Sequence, residues 1–269
     1  MCSFIRMRKF LLICFFCCSA LVLLKGQTIF TDRPTVATSP NTLPVKWLQL
    51  ETGFQYQIRD VDLLGNLAPG LKFENILFNG MLLRYGLTEN FELRFNQSIQ
   101  QNRFRLNGET TADDGVDLAP TSIGVKWRLV KDNEKWPDIA ILANYGNSVL
   151  TDNGGGSVVD FSLLFNSMVF GDVSFDYNVG VLLENELNLR TYTYSFVLAK
   201  ALNEKLGGFF ELYGSQTEDL NALLNVDMGL TYLVSNTFQL DIYAGTGFSE
   251  LSPNIMFGFG VSKLFLPKE

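Results

Sequence analysis

Four charged residues stand at a spacing that could do chemistry together. Glu92 and Arg94 are two positions apart, as are Lys126 and Arg128, and apolar residues fill the alternate positions of both stretches. On two adjacent strands such residues point to one side and can meet across the pair. Cross-strand ion pairing that holds a barrel in shape is one reading. The other is a constriction that selects what passes by its charge. Two pairs of carboxylates, Asp227 with Asp241 and Asp160 with Asp176, also fall on polar faces of neighbouring stretches, the arrangement that acid and base work would need. The chain contains no histidine, however, so neither a Ser-His-Asp apparatus nor His-ligated zinc can be built. Lumen polarity explains the carboxylates more simply, and no catalytic residue is assigned.

No phosphate-binding or zinc spacing is present, so no cofactor and no metal site is expected. Thr151-Asp152-Asn153-Gly154-Gly155-Gly156 offers oxygen ligands but lacks the downstream bidentate acid of a calcium loop, and reads as a loop tip. Cys2, Cys14, Cys17 and Cys18 all lie in the first 27 residues. There Arg6, Arg8 and Lys9 precede an apolar run from Phe10 to Leu24, the pattern of a cleaved secretory signal. A lipidated Cys17 or Cys18 fits less well, because both sit inside that run. Of 21 basic and 28 acidic residues, removing 1–27 takes away four basic ones and no acid, leaving a net charge of −11. An acidic chain argues against nucleic-acid binding.

The elements that must carry these residues are strands. Residues 28–45 hold Pro34, Pro40 and Pro44, too closely spaced for a helix or a central strand, and read as a periplasmic leader. From Trp47 onward period two dominates. Leu48, Leu50, Thr52, Phe54, Tyr56 and Ile58 alternate with Gln49, Glu51, Gly53, Gln55, Gln57 and Arg59, and the same pattern runs through Phe91–Ile99, Ile123–Leu129, Val173–Val181 and Leu224–Tyr232. Twelve strands are expected, near 46–59, 73–86, 91–100, 120–130, 138–147, 158–170, 173–183, 190–201, 206–215, 222–234, 238–248 and 254–265. The faces of the second and ninth stay unassigned. Short turns alternate with longer loops at 60–72, 101–119 and 148–157, as hairpins with their turns at opposite ends of a barrel require.

A soluble barrel must fill its interior with apolar side chains, whereas here charge, amides and glycine lie opposite the aromatics. Hydrocarbon leaves backbone amides unmet unless the sheet closes, and the strands have the length for a tilted crossing. Trp47, Tyr85, Trp127, Tyr145, Tyr192, Tyr232 and Phe265 lie near strand ends, where an aromatic girdle would sit. The expected fold is therefore all-β: a transmembrane antiparallel up-and-down β-barrel of about 12 strands over 46–269, in the outer membrane of a Gram-negative-type bacterium. Its expected partners are outer-membrane lipids and, during biogenesis, the barrel-assembly machinery that reads aromatic-ended terminal strands such as Ile255–Phe265.

The leader Thr31-Asp32-Arg33-Pro34, then Ser39-Pro40-Asn41-Thr42-Leu43-Pro44 and Leu48-Gln49-Leu50-Glu51-Thr52-Gly53, resembles an outer-membrane transporter family labelled "putative MetA-pathway of phenol degradation". Tyr85–Arg94 and Ser122–Lys126 extend the resemblance over most of the mature chain. It implies a single barrel that passes small, hydrophobic molecules, and it carries no catalytic residue with it. The expected role is thus a channel whose permeant is unknown, with Glu92, Arg94, Lys126 and Arg128 as its constriction. The alternative is a closed structural or surface-interaction barrel that binds through loops 60–72 and 101–119.

Overall fold

The computed structural model describes residues 29–61, 69–147, 156–186, 188–218 and 220–267. The expected signal at 1–27 and most of the 151–156 loop tip lie outside them. Thirteen strands form among the described residues: β1 (Leu48–Asp60), β2 (Leu71–Gly86), β3 (Phe91–Leu106), β4 (Glu109–Leu118), β5 (Thr121–Val130), β6 (Asp138–Asn147) and β7 (Ser157–Val169), then β8 (Val173–Glu184), β9 (Leu189–Ala201), β10 (Leu206–Thr217), β11 (Leu223–Ser235), β12 (Phe238–Gly247) and β13 (Ile255–Phe265).

Twelve of them close a ring. Each pairs antiparallel with its neighbours, and β1 pairs with β13 from Leu48↔Phe265 to Ile58↔Ile255, so no edge is left along the seam. The thirteenth, β4, stands outside the ring. Phe91–Asn96 of β3 pairs with β5, while Ile99–Leu106 pairs with β4, so β3 outruns the barrel wall and carries a hairpin above it. This corrects the loop expected at 101–119. Asn107 and Gly108, with φ of 52° and 92°, make the two-residue turn that closes the hairpin.

The distribution of polarity is inverted relative to a soluble protein. Outward residues such as Phe257, Phe259 and Ile242 are exposed at 44%, 55% and 59%, whereas Gln49, Glu51, Glu92, Lys126 and Glu211 have no exposure at all. Hydrocarbon must cover the first set. Tyr85, Trp127, Tyr232 and Phe265 face outward toward the short-turn end and Tyr145 and Tyr192 toward the other, as a pair of girdles requires. Trp47 departs from that group and packs against buried Ile29, Leu43 and Leu264. Lys263, out of phase in the last strand, reaches back to Thr237 Oγ1 at 3.1 Å, carrying its ammonium to the turn.

The two unassigned faces have physical causes. In β2 the register slips by one between Leu77 and Asn79, leaving Phe78 without a partner. Arg84 consequently points into the barrel, while Glu74 lies on the opposite face with Tyr56 (2.8 Å) and Arg105 (3.1 Å). In β10 Phe209 is inward beside Glu211 because it seats Ala37 of the leader, together with Val197 and Tyr243.

Candidate functional site

The leader is not outside the barrel. Ile29, Ala37 and Leu43 are buried among inward side chains, and the chain enters at the short-turn end, where Ile29 N donates to Asn236 O at 2.8 Å and Thr42 Oγ1 to Glu89 O at 2.7 Å. The prolines keep it extended and irregular, so many of its backbone amides have no partner within the segment. Barrel carboxylates supply partners. Glu51 accepts from the N–H groups of Asp32 and Arg33 at 3.0 and 2.9 Å, Glu92 from Leu43 N at 3.0 Å, and Glu211 from Val36 N and Ala37 N at 2.8 and 2.7 Å.

The strongest anchorage is ionic and lies on the β1–β2–β3–β5 wall. Asp32 of the leader meets Arg94 at 2.6 Å, Lys126 at 3.3 Å and Arg84 at 3.6 Å. Arg84 also pairs with Glu51 (2.9 Å) and, through a two-bond fork, with Glu92 (2.8 and 2.9 Å). Arg94 reaches Glu92 as well, at 2.9 Å, and Lys126 sits 3.9 Å from it. Three cations and three anions therefore share one water-poor cluster, where bidentate geometry makes the pairs strong and directional. Burial alone would raise the Asp32 carboxyl, but the charges of Arg84, Lys126 and Arg94 outweigh it and hold the group well below the usual carboxylate range. Farther around, Arg33 pairs with Asp241 at 3.1 Å. Its guanidinium lies directly over Gly53 and Gly260, so a side chain at either would push it away from Asp241.

Three of the four residues singled out from sequence, Glu92, Arg94 and Lys126, meet in this cluster, and Glu92 lies directly opposite Lys126 in the register. Arg128 does not join it. Its Nη2 donates to Glu89 O at 2.6 Å and fixes the β2–β3 turn instead. The paired carboxylates are not brought together as pairs: Asp241 is taken by Arg33, Asp227 faces Glu211 across the strands, and Asp160 and Asp176 each accept from nearby amide and hydroxyl groups. Asp32, Arg33, Glu51, Arg84 and Glu211 were missed. Arg84, a lone charge in an apolar run, was the available signal, and the slip in β2 disguised it.

The opposite wall, β7–β11, is open. A cavity of about 530 Å³ lies on the short-turn side of the leader, lined by Asn166, Asp176, Ala199 and Phe209 among others. A second, of about 340 Å³, lies on the far side, lined by Asp160, Asn178, Ser195 and Asn225. The leader at Val36–Thr38 stands between them, held by Glu211 and by Asn178 Nδ2, which donates to Thr38 O at 3.0 Å.

A closed twelve-strand ring with an apolar exterior, a polar interior and an inserted N-terminal segment defines an outer-membrane-type β-barrel with an internal plug. Residues 31–265 match the family described as "Putative MetA-pathway of phenol degradation", and the chain belongs to that family. Among solved structures it is similar to the COG4313 outer membrane channel from Pseudomonas putida F1 (TM-score 0.67, 12% identity, covering 86% of this chain and 100% of that one). It is also similar to the translocator domain of the autotransporter NalP from Neisseria meningitidis (0.55, 12%, 83% and 90%) and to the KdgM porin (0.51, 10%, 81% and 99%). At these identities the likeness shows the fold. No curated protein matches the sequence.

Proposed function

We propose that the protein is an outer-membrane channel in which small molecules pass between the docked leader and the β7–β11 wall. The observation that carries this reading is the pair of cavities on the two sides of Val36–Thr38 along one wall, about 530 and 340 Å³, which a modest shift of that short segment would join. Glu92, Arg94, Lys126 and Arg128 form the constriction from the other side, the first three by fastening the leader and the last by fixing the turn beneath it. The similarity in fold to an outer membrane channel and to a porin supports transport. The family description points toward small aromatic molecules as the permeant class. Export uses residues 1–27 as a cleaved signal, lipids cover the exposed apolar belt, and the barrel-assembly machinery inserts the chain through its last strand. No part of the reading needs an enzymatic step.

Swelling of liposomes that hold the purified full-length protein tests it. Small sugars or aromatic solutes are expected to enter slowly, and faster once the leader is loosened. A folded barrel impermeable to both would overturn the channel. It would favour the second reading, a closed barrel acting through its exterior, which the dense anchoring of the leader and the projecting β3–β4 hairpin support.

A further inference from the structure

The 340 Å³ cavity has an uneven inventory of donors and acceptors. Asn178, which lines it, is more than nine-tenths buried, and its Oδ1 has no hydrogen-bond partner among the described residues. Its orientation is fixed, because its Nδ2 donates to Thr38 O. Asp160 brings a carboxylate, whose two oxygens accept, among the described residues, from Asn144 Nδ2 at 2.9 Å and Ser162 Oγ at 3.1 Å. The tyrosines of the lining have spent their hydroxyl hydrogens elsewhere, Tyr213 on Met256 Sδ at 3.1 Å and Tyr194 on Leu223 O at 3.5 Å. Serine and threonine hydroxyls complete the polar lining and can turn either way.

No Lys or Arg lines this cavity. The lumenal cations Arg33, Arg84, Arg94 and Lys126 pair with Asp32, Glu51, Glu92 and Asp241, and Arg128 is held at the β2–β3 turn by Glu89 O. Among the described residues Asp160, Asp176, Glu211 and Asp227 have no ion-pair partner. Buried acceptors without donors are costly, and the cost falls when a donor-only guest arrives. The rest of the lining is apolar or aromatic: Leu142, Leu164, Leu182 and the rings of Tyr194 and Tyr213. A carboxylate, a spare carbonyl oxygen and π-faces around one chamber are the features that recognise an ammonium group attached to an apolar body.

We infer that this cavity binds a small organic cation, an amine with an apolar or aromatic group, with Asp160 facing the ammonium and Asn178 accepting one of its hydrogens. The inference rests on the proposed passage for the ligand's way in and out.

Titration calorimetry of the full-length protein in detergent at pH 7 tests it with three probes of one size: phenethylamine (a cation), 2-phenylethanol (neutral) and phenylacetate (an anion). Phenethylamine is expected to bind at least tenfold more tightly than either of the others. Asp160→Asn should lower its affinity tenfold or more, and Glu109→Gln on the outer hairpin not at all. Heat-modifiable migration identifies the variants that have folded. Equal binding of the three probes, no binding of any, or unchanged affinity in a folded Asp160→Asn variant overturns the site. Swelling separates the two readings: solute entry without charge preference keeps the channel and removes the cation site, whereas amine binding to a barrel impermeable to every solute keeps the site and removes the channel.

Discussion

The two walls of this lumen are built from the same alternating strands yet do opposite work. On β1, β2, β3 and β5 the inward charges are exhausted by one another and by the leader: Arg84 alone contacts Asp32, Glu51 and Glu92. On β7–β11 the inward polar groups are amides, hydroxyls and carboxylates with no cation, and the leader meets that wall through Glu211, Asn178 and the apolar contact of Ala37 with Val197 and Phe209. One wall fixes the plug; the other leaves cavities beside it. A barrel of this size can thus be both stably plugged and partly open, because occlusion is achieved from one side only.

The largest test of this contrast is Arg84→Met. It leaves Glu51 and Glu92 buried without their main cation and should cost about 3–5 kcal/mol, read from urea-induced unfolding in detergent, with a rise in single-channel conductance as the leader detaches. Equal destabilisation by Asp176→Asn on the open wall would erase the distinction between the walls. A smaller effect, about 1–3 kcal/mol, is expected for Glu211→Ala, which strands the Val36 and Ala37 amides. Here conductance should increase while the ionic cluster stays intact, and an unchanged conductance would show that Val36–Thr38 does not separate the cavities.

The contrast also has a pH signature. Because the folded Asp32 carboxyl is held below its ordinary value, its contribution to leader docking is complete above about pH 4. It is lost only as pH falls through the depressed folded value. The part of leader-dependent conductance that Asp32 controls should therefore rise only below about pH 4, and Asp32→Asn should abolish that acid-side rise. Smallest of all is Asp176→Asn, about 1 kcal/mol or less in stability, since its neighbours Asn166 and Ser174 can also bond an amide.

Much of the fold was legible from period two, because a wall with lipid on one side and a polar lumen on the other stamps its two faces onto successive residues. The legible part ended where that rule was locally broken. The slip at Phe78 inverts the faces of β2, so Arg84, which meets three carboxylates, cannot be placed by alternation. Phe209 looked out of phase until the leader supplied the apolar partner Ala37 that draws it inward. Asn107-Gly108 is a two-residue turn signal inside the stretch 101–119, and it marks the hairpin that forms there.

Taken by itself, the sequence determined a closed antiparallel barrel with an apolar coat, the absence of histidine chemistry, and an inward position for Glu92, Arg94 and Lys126. Such properties depend on residue type and on spacing along one or two strands. Tertiary structure alone decided that the leader turns into the lumen, that Asp32 completes the charges of β2, β3 and β5, and that β7–β11 stays open. The contacts of Asp32 with Arg84, Arg94 and Lys126, of Ala37 with Glu211 and of Arg33 with Asp241 join residues 52 to 208 positions apart, and closing the ring is what brings them within bonding distance, something no local pattern encodes.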